Sequence, residues 1–112
     1  LDKDGIAQCL LEDLKANCSV RKIYVNIANQ DNQITLIVYH NVLEALADCI
    51  CKYDVNFKMS KLTSGNYRLK VYYAKPNMKY EESDIVYNGQ VDIVQDKKTI
   101  VTLSPEKVLS EV

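Results

Sequence analysis

The sequence predicts a mainly β protein, an antiparallel β-sandwich carrying a short N-terminal helix. Three observations point there. Apolar and polar residues alternate at period two in several separate runs, the runs are divided by clusters of Asn, Asp, Gly and Ser, and 112 residues suit one core and no more. A single domain over 1–112 follows, with a helical segment at 1–17, the sandwich over 18–104 and a tail at 105–112.

Ile6, Ala7, Leu10, Leu11 and Leu14 recur at spacings of one, three and four, which predicts an amphipathic helix over residues 5–16. Asp4 would cap its start and Asn17 its end, with Gly5 weakening the first turn. After Cys18 the period changes, because Ile23, Val25 and Ile27 alternate with Lys22, Tyr24 and Asn26. Asn29-Gln30-Asp31-Asn32 turns that strand into the β-rich run Ile34 to Tyr39, forming a hairpin. His40 to Asp48 is compatible with one helical turn or a crossover loop. Alternation resumes through Tyr53, Val55, Phe57 and Met59, and Thr63-Ser64-Gly65-Asn66 turns the chain into Tyr67, Leu69, Val71 and Tyr73, predicting a second hairpin. Pro76 and Asn77 end it, and the charged segment from Lys79 to Asp84 suits a solvated loop. A strand over Ile85 to Val94, with Gly89 as a bulge or bend, and another over Thr99 to Leu103 complete three hairpins before Pro105.

Cys9, Cys18, Cys49 and Cys51 are the chain's four cysteines, and all are disulfide candidates. In an extended backbone Cys49, Cys51, Tyr53, Val55 and Phe57 share one face, so both thiols of the C-x-C are expected to aim inward. A bridge between Cys49 and Cys51 closes too small a ring, which leaves Cys18–Cys49 with Cys9–Cys51, or the exchanged pairing. Closing a loop of about 30 residues restricts the unfolded chain by roughly 3.5 kcal/mol. Two disulfides imply an oxidising compartment and hence a secreted or envelope-exposed domain. A structural zinc site would present C-x2-4-C knuckles and a redox enzyme C-x-x-C at a helix start; neither spacing occurs, so no metal or other cofactor is expected.

Fourteen basic residues against fifteen acidic ones give a net charge of -1, with no long block of one sign, which disfavours nucleic acid as a partner. No run of about 18 apolar residues is present to form a spanning helix. His40 is the lone histidine, at a strand end where packing is the expected role, and no G-x-S-x-G, P-loop or H-E-x-x-H occurs. No catalytic residue is therefore assigned and no enzymatic activity expected. Glu81, Glu82 and Asp84 could gather calcium but fit no EF-hand, and Asn17-Cys18-Ser19 is a weak glycosylation sequon. Tyr24 and Tyr72 fall on faces opposite the core rows, with Tyr39 a candidate neighbour, and exposed rings there could stack a sugar or anchor a protein, or simply pair across strands.

From Asn17-Cys18 through Ile34, and again from Asp48-Cys49-Ile50-Cys51-Lys52-Tyr53-Asp54-Val55 through Gly65-Asn66-Tyr67, the chain resembles small lipoprotein-type secreted domains of Bacteroidetes. The resemblance spans residues 17 to about 73, with the C-x-C-x-Y-D run its most specific part. That family often has adjacent cysteines after the asparagine, whereas here Cys18 stands alone and Cys9 lies nine positions earlier. The resemblance implies a periplasmic or outer-membrane-anchored domain, tethered through a lipidated cysteine outside this sequence, with no established activity. Leu62 to Leu69 also looks like the L-x-x-G-x-Y hairpin of immunoglobulin-like and prealbumin-like sandwiches. The expected function is a non-catalytic secreted or cell-envelope module that binds a protein or glycan. The alternative is a structural or accessory envelope module with no ligand of its own.

Overall fold

A computed structural model describes residues 7–59, 62–94 and 97–109. Seven strands run in the order β1 Ala7–Asn17, β2 Ile23–Gln30, β3 Gln33–His40, β4 Ile50–Met59, β5 Gly65–Tyr73, β6 Ile85–Ile93 and β7 Thr99–Thr102. They form two mixed sheets, β4-β1-β7 and β2-β3-β5-β6. Leu11 and Val101 from the first sheet and Leu36, Leu69 and Val71 from the second belong to one buried cluster, so the sheets share a single core.

The N-terminal helix is not formed. Ala7 to Asn17 is a strand, paired antiparallel with β4 and parallel with β7, while Asp4 and Gly5, named as helix-start residues, lie outside the described residues. Its register jumps between Leu11 and Leu14, and Asp13 takes φ 60° at the jump. Two residues thus separate buried Leu11 from buried Leu14, and a bulged strand acquires the three- and four-residue spacing of a helix face.

The β2–β3 hairpin forms as expected, closed by a turn in which Asp31 has φ 56°. The second hairpin does not. β4 pairs with β1 in one sheet, whereas β5 pairs with β3 and β6 in the other. The chain therefore crosses from one sheet to the other between Met59 and Gly65, and within the described residues Tyr67 donates its hydroxyl to the Thr63 carbonyl at 2.8 Å. Because the chain leaves the second sheet after β3, descends through β4 and returns as β5, the strands β3 and β5 run parallel. A purely antiparallel architecture is corrected accordingly, and β6 and β7 likewise lie in different sheets.

Gly89 sits in regular register opposite Leu69, and the β6 irregularity falls instead between Ile85 and Tyr87. A Cβ at Gly89 would meet the Tyr87 hydroxyl at 3.1 Å, so the glycine seats that ring. Residues 41–49 contain no helix. Leu109 of the tail is packed: its side chain is buried and its N–H donates to the Lys15 carbonyl at 2.7 Å.

Candidate functional site

One end of the two-layered fold gathers 18–22, 41–49, 74–84 and 103–109, because β1, β3, β5 and β7 all end there while β2, β4 and β6 begin there. Two constellations of sequence-predicted residues lie at or beside this end.

The first is sulfur. Cys18, Cys49 and Cys51 have their Sγ atoms within 4.8 Å of one another, with Cys49 exposed and the other two half-buried. Backbone pairing brings them together: Cys51 lies opposite Ala16 in the β1–β4 ladder, and the Cys18 N–H donates to the Cys49 carbonyl at 3.1 Å. Cys9 is not part of this group. It is 1 % exposed between the sheets, unbridged, and burial pushes its thiol from 9.0 up to about 12. Each expected pairing used Cys9, so the two-bridge arrangement is replaced by three cysteines converging at the surface. The inward aim expected of Cys49 also fails, because that residue precedes the strand.

Asn17 and Tyr53 organise this cluster, and neither role was visible in the sequence. The Tyr53 hydroxyl lies 2.9 Å from the Asn17 carbonyl and 3.0 Å from that of Val20, pinning the turn that holds Cys18. The Asn17 side-chain amide is engaged with Ala47, so the sequon nitrogen already donates to a main-chain carbonyl. Val42, Leu46 and Ile50 stand exposed along the same segment.

The second constellation is an aromatic band on the outer face of the four-stranded sheet. Tyr24 and Tyr39, paired across β2 and β3, stack at 5.2 Å between centroids, and the Lys22 ammonium lies 5.2 Å from the Tyr24 ring. Tyr39 packs against a small cluster of Ile37, Tyr72 and Ala74. Tyr72, expected to be exposed, is 3 % exposed, because the segment after β5 folds back over it. Tyr80 covers its ring at 4.8 Å, and its hydroxyl donates to the Glu82 carboxylate at 3.2 Å. Burial, then the Glu82 hydrogen bond and charge, raise the Tyr72 hydroxyl above its usual range.

The exposed ring of the band is thus Tyr80, which the sequence placed in a solvated loop and no periodicity could single out. With Lys75, Met78, Lys79, Glu81 and Asp84 it lines an open groove of about 570 Å³. The acidic residues of this loop act locally. Glu82 holds Tyr72, and Asp84 accepts the Glu81 N–H at 2.8 Å within the 3-10 turn Glu82–Asp84.

His40 is fully buried, its Nδ1 donating to the Asn41 carbonyl at 2.6 Å, while Nε2 has no hydrogen-bond partner among the described residues. A ring sealed in this way offers no nitrogen to an external substrate. Comparison with family models, curated proteins and solved structures gives no match.

Proposed function

We propose that the chain is a non-catalytic β-sandwich module of the cell envelope, secreted or anchored through a lipid outside this sequence, that binds a glycan beside Tyr80. The observation that carries this is the pairing of an exposed ring with a groove lined by the ammonium-bearing Lys75 and Lys79 and the carboxylate-bearing Glu81 and Asp84. A sugar presents apolar C–H faces and hydroxyls together, and an aromatic platform bordered by mixed polar groups answers both. Tyr72 beneath Tyr80 fixes the orientation of that platform. Two sheets packed on one core support the immunoglobulin-like or prealbumin-like reading, and the N-C and C-x-C-x-Y-D runs support the Bacteroidetes lipoprotein-type assignment.

Glycan-array screening followed by calorimetry tests the reading. Wild type should bind at least one glycan class, and Tyr80→Ala should weaken that binding about tenfold, as expected for loss of one stacked ring. Binding that survives Tyr80→Ala unchanged, or no glycan bound at all, would sink it. A purely structural envelope module is the second reading, favoured by two observations: Tyr72 is buried, and Tyr24 and Tyr39 stack on each other.

A further inference from the structure

Three sulfurs meet where only one bridge can form. The Cys18 sulfur faces both Cys49 and Cys51, whose Cα atoms lie 5.7 and 5.0 Å from its own. Both separations fall inside the window in which an ordinary bridge closes. The two partners are delivered by independent constraints, Cys49 through its carbonyl on the Cys18 N–H and Cys51 through its register opposite Ala16. Sulfur makes one bridge at a time, so one thiol of the three is always left over. Cys9 cannot absorb it, being sealed in the core.

We infer that Cys18, Cys49 and Cys51 form a thiol–disulfide exchange site, independent of the aromatic band, whose substrate class is an exogenous disulfide. In the internal step the leftover cysteine loses its proton to water, and its thiolate attacks the Cys18 Sγ. The new S–S bond forms as the old one breaks, and the displaced sulfur leaves as a thiolate that takes up a proton; no net oxidation occurs. In the external step the leftover thiolate attacks one sulfur of a disulfide R–S–S–R, forming a mixed disulfide with the chain and releasing R–S⁻, which is then protonated. Exposure of Cys49 gives such a reagent access whenever the bridge rests on Cys51.

Mass spectrometry of the native chain tests this. After alkylation without reductant, wild type should carry one disulfide and one alkyl group on the cluster, with both Cys18–Cys49 and Cys18–Cys51 linkages found by fragmentation. Cys49→Ser and Cys51→Ser should each keep a bridge to Cys18 and lose the alkylated position. Oxidised glutathione should add one glutathionyl group to wild type and none at the cluster of either variant. Wild-type mapping needs no variant, so poor folding of a mutant leaves the test intact. A single linkage in wild type, three alkylatable cluster thiols, or one stoichiometric zinc with no disulfide would each overturn the inference.

Discussion

Asn17 grips Ala47 through both atoms of its side-chain amide. Nδ2 donates to the Ala47 carbonyl at 2.9 Å, while Oδ1 accepts the Ala47 N–H at 3.0 Å. A side chain thereby reproduces the two-bond exchange of an antiparallel residue pair. The same Oδ1 also takes the Ser19 N–H at 3.0 Å, so one amide ties the turn carrying Cys18 to the segment that leads into Cys49.

Asn17→Asp keeps the acceptor and removes the donor, placing a carboxylate against the Ala47 carbonyl. It should cost about 2 kcal/mol, the penalty for an unpaired half-buried carbonyl, read as a lower denaturant midpoint. Asn17→Ala should cost a similar amount. A loss below about 0.5 kcal/mol in both would mean that the clamp contributes little to stability.

The β1 bulge makes a second prediction. Asp13 occupies φ 60°, a region that glycine enters freely and β-branched residues resist. Asp13→Gly should be near neutral, since its only side-chain role would be local, whereas Asp13→Val should destabilise by about 1–2 kcal/mol. Deleting Asp13 should be tolerated, because Leu11 and Leu14 would then stand two apart on the inner face, as their partners Val55 and Tyr53 do. Equal unfolding midpoints for the glycine and valine variants would contradict the bulge.

Much of the strand content was legible because β2 to β6 keep the period-two pattern, and the Asn-Asp turn between β2 and β3 has no competing reading. The sheet partners were less legible. A strand, a short polar turn and a second strand look alike whether the chain pairs with itself or arches to the other layer, so residues 60–66 could not distinguish a β4–β5 hairpin from what forms. The bulge at Asp13 hid a strand behind helix spacing. At the candidate site, the nearness of Cys18 to Cys49 and Cys51 was legible, but the exclusion of Cys9 depends on β1 being a strand whose inner face carries it. Tyr72 sits on the outer face as alternation requires; its burial comes from Tyr80 and Glu82, which no local pattern announces.

Tyr24 and Tyr39 provide a third prediction. Their rings lie 20° from parallel at 5.2 Å, a stacked pair on the outer face of the sheet. A double-mutant cycle using Tyr24→Ala and Tyr39→Ala should give a coupling of about 0.5–1.5 kcal/mol by chemical denaturation. Coupling within about 0.2 kcal/mol of zero would mean that the rings merely share a surface.

Alkaline pH should unfold the chain through Cys9 and Tyr73. Burial raises the Cys9 thiol from 9.0 to about 12 and the Tyr73 hydroxyl from 10.0 to about 12, the Lys15 main chain pulling the latter partly back without reaching hydrogen-bond geometry. Both groups stay protonated in the fold after the unfolded chain has begun to lose its protons. Their contribution is complete below pH 9 and falls as pH rises toward 12, by about 1.4 kcal/mol per pH unit for each group within its window. Cys9→Ala should flatten the fall from pH 9 upward and Tyr73→Phe from pH 10 upward. At pH 7, Tyr73→Phe should be neutral or stabilising, since it removes a buried hydroxyl with no partner among the described residues. Urea midpoints between pH 7 and 11.5 for the wild type and both variants would measure this, and an undiminished alkaline slope in the double variant would assign the loss to other groups.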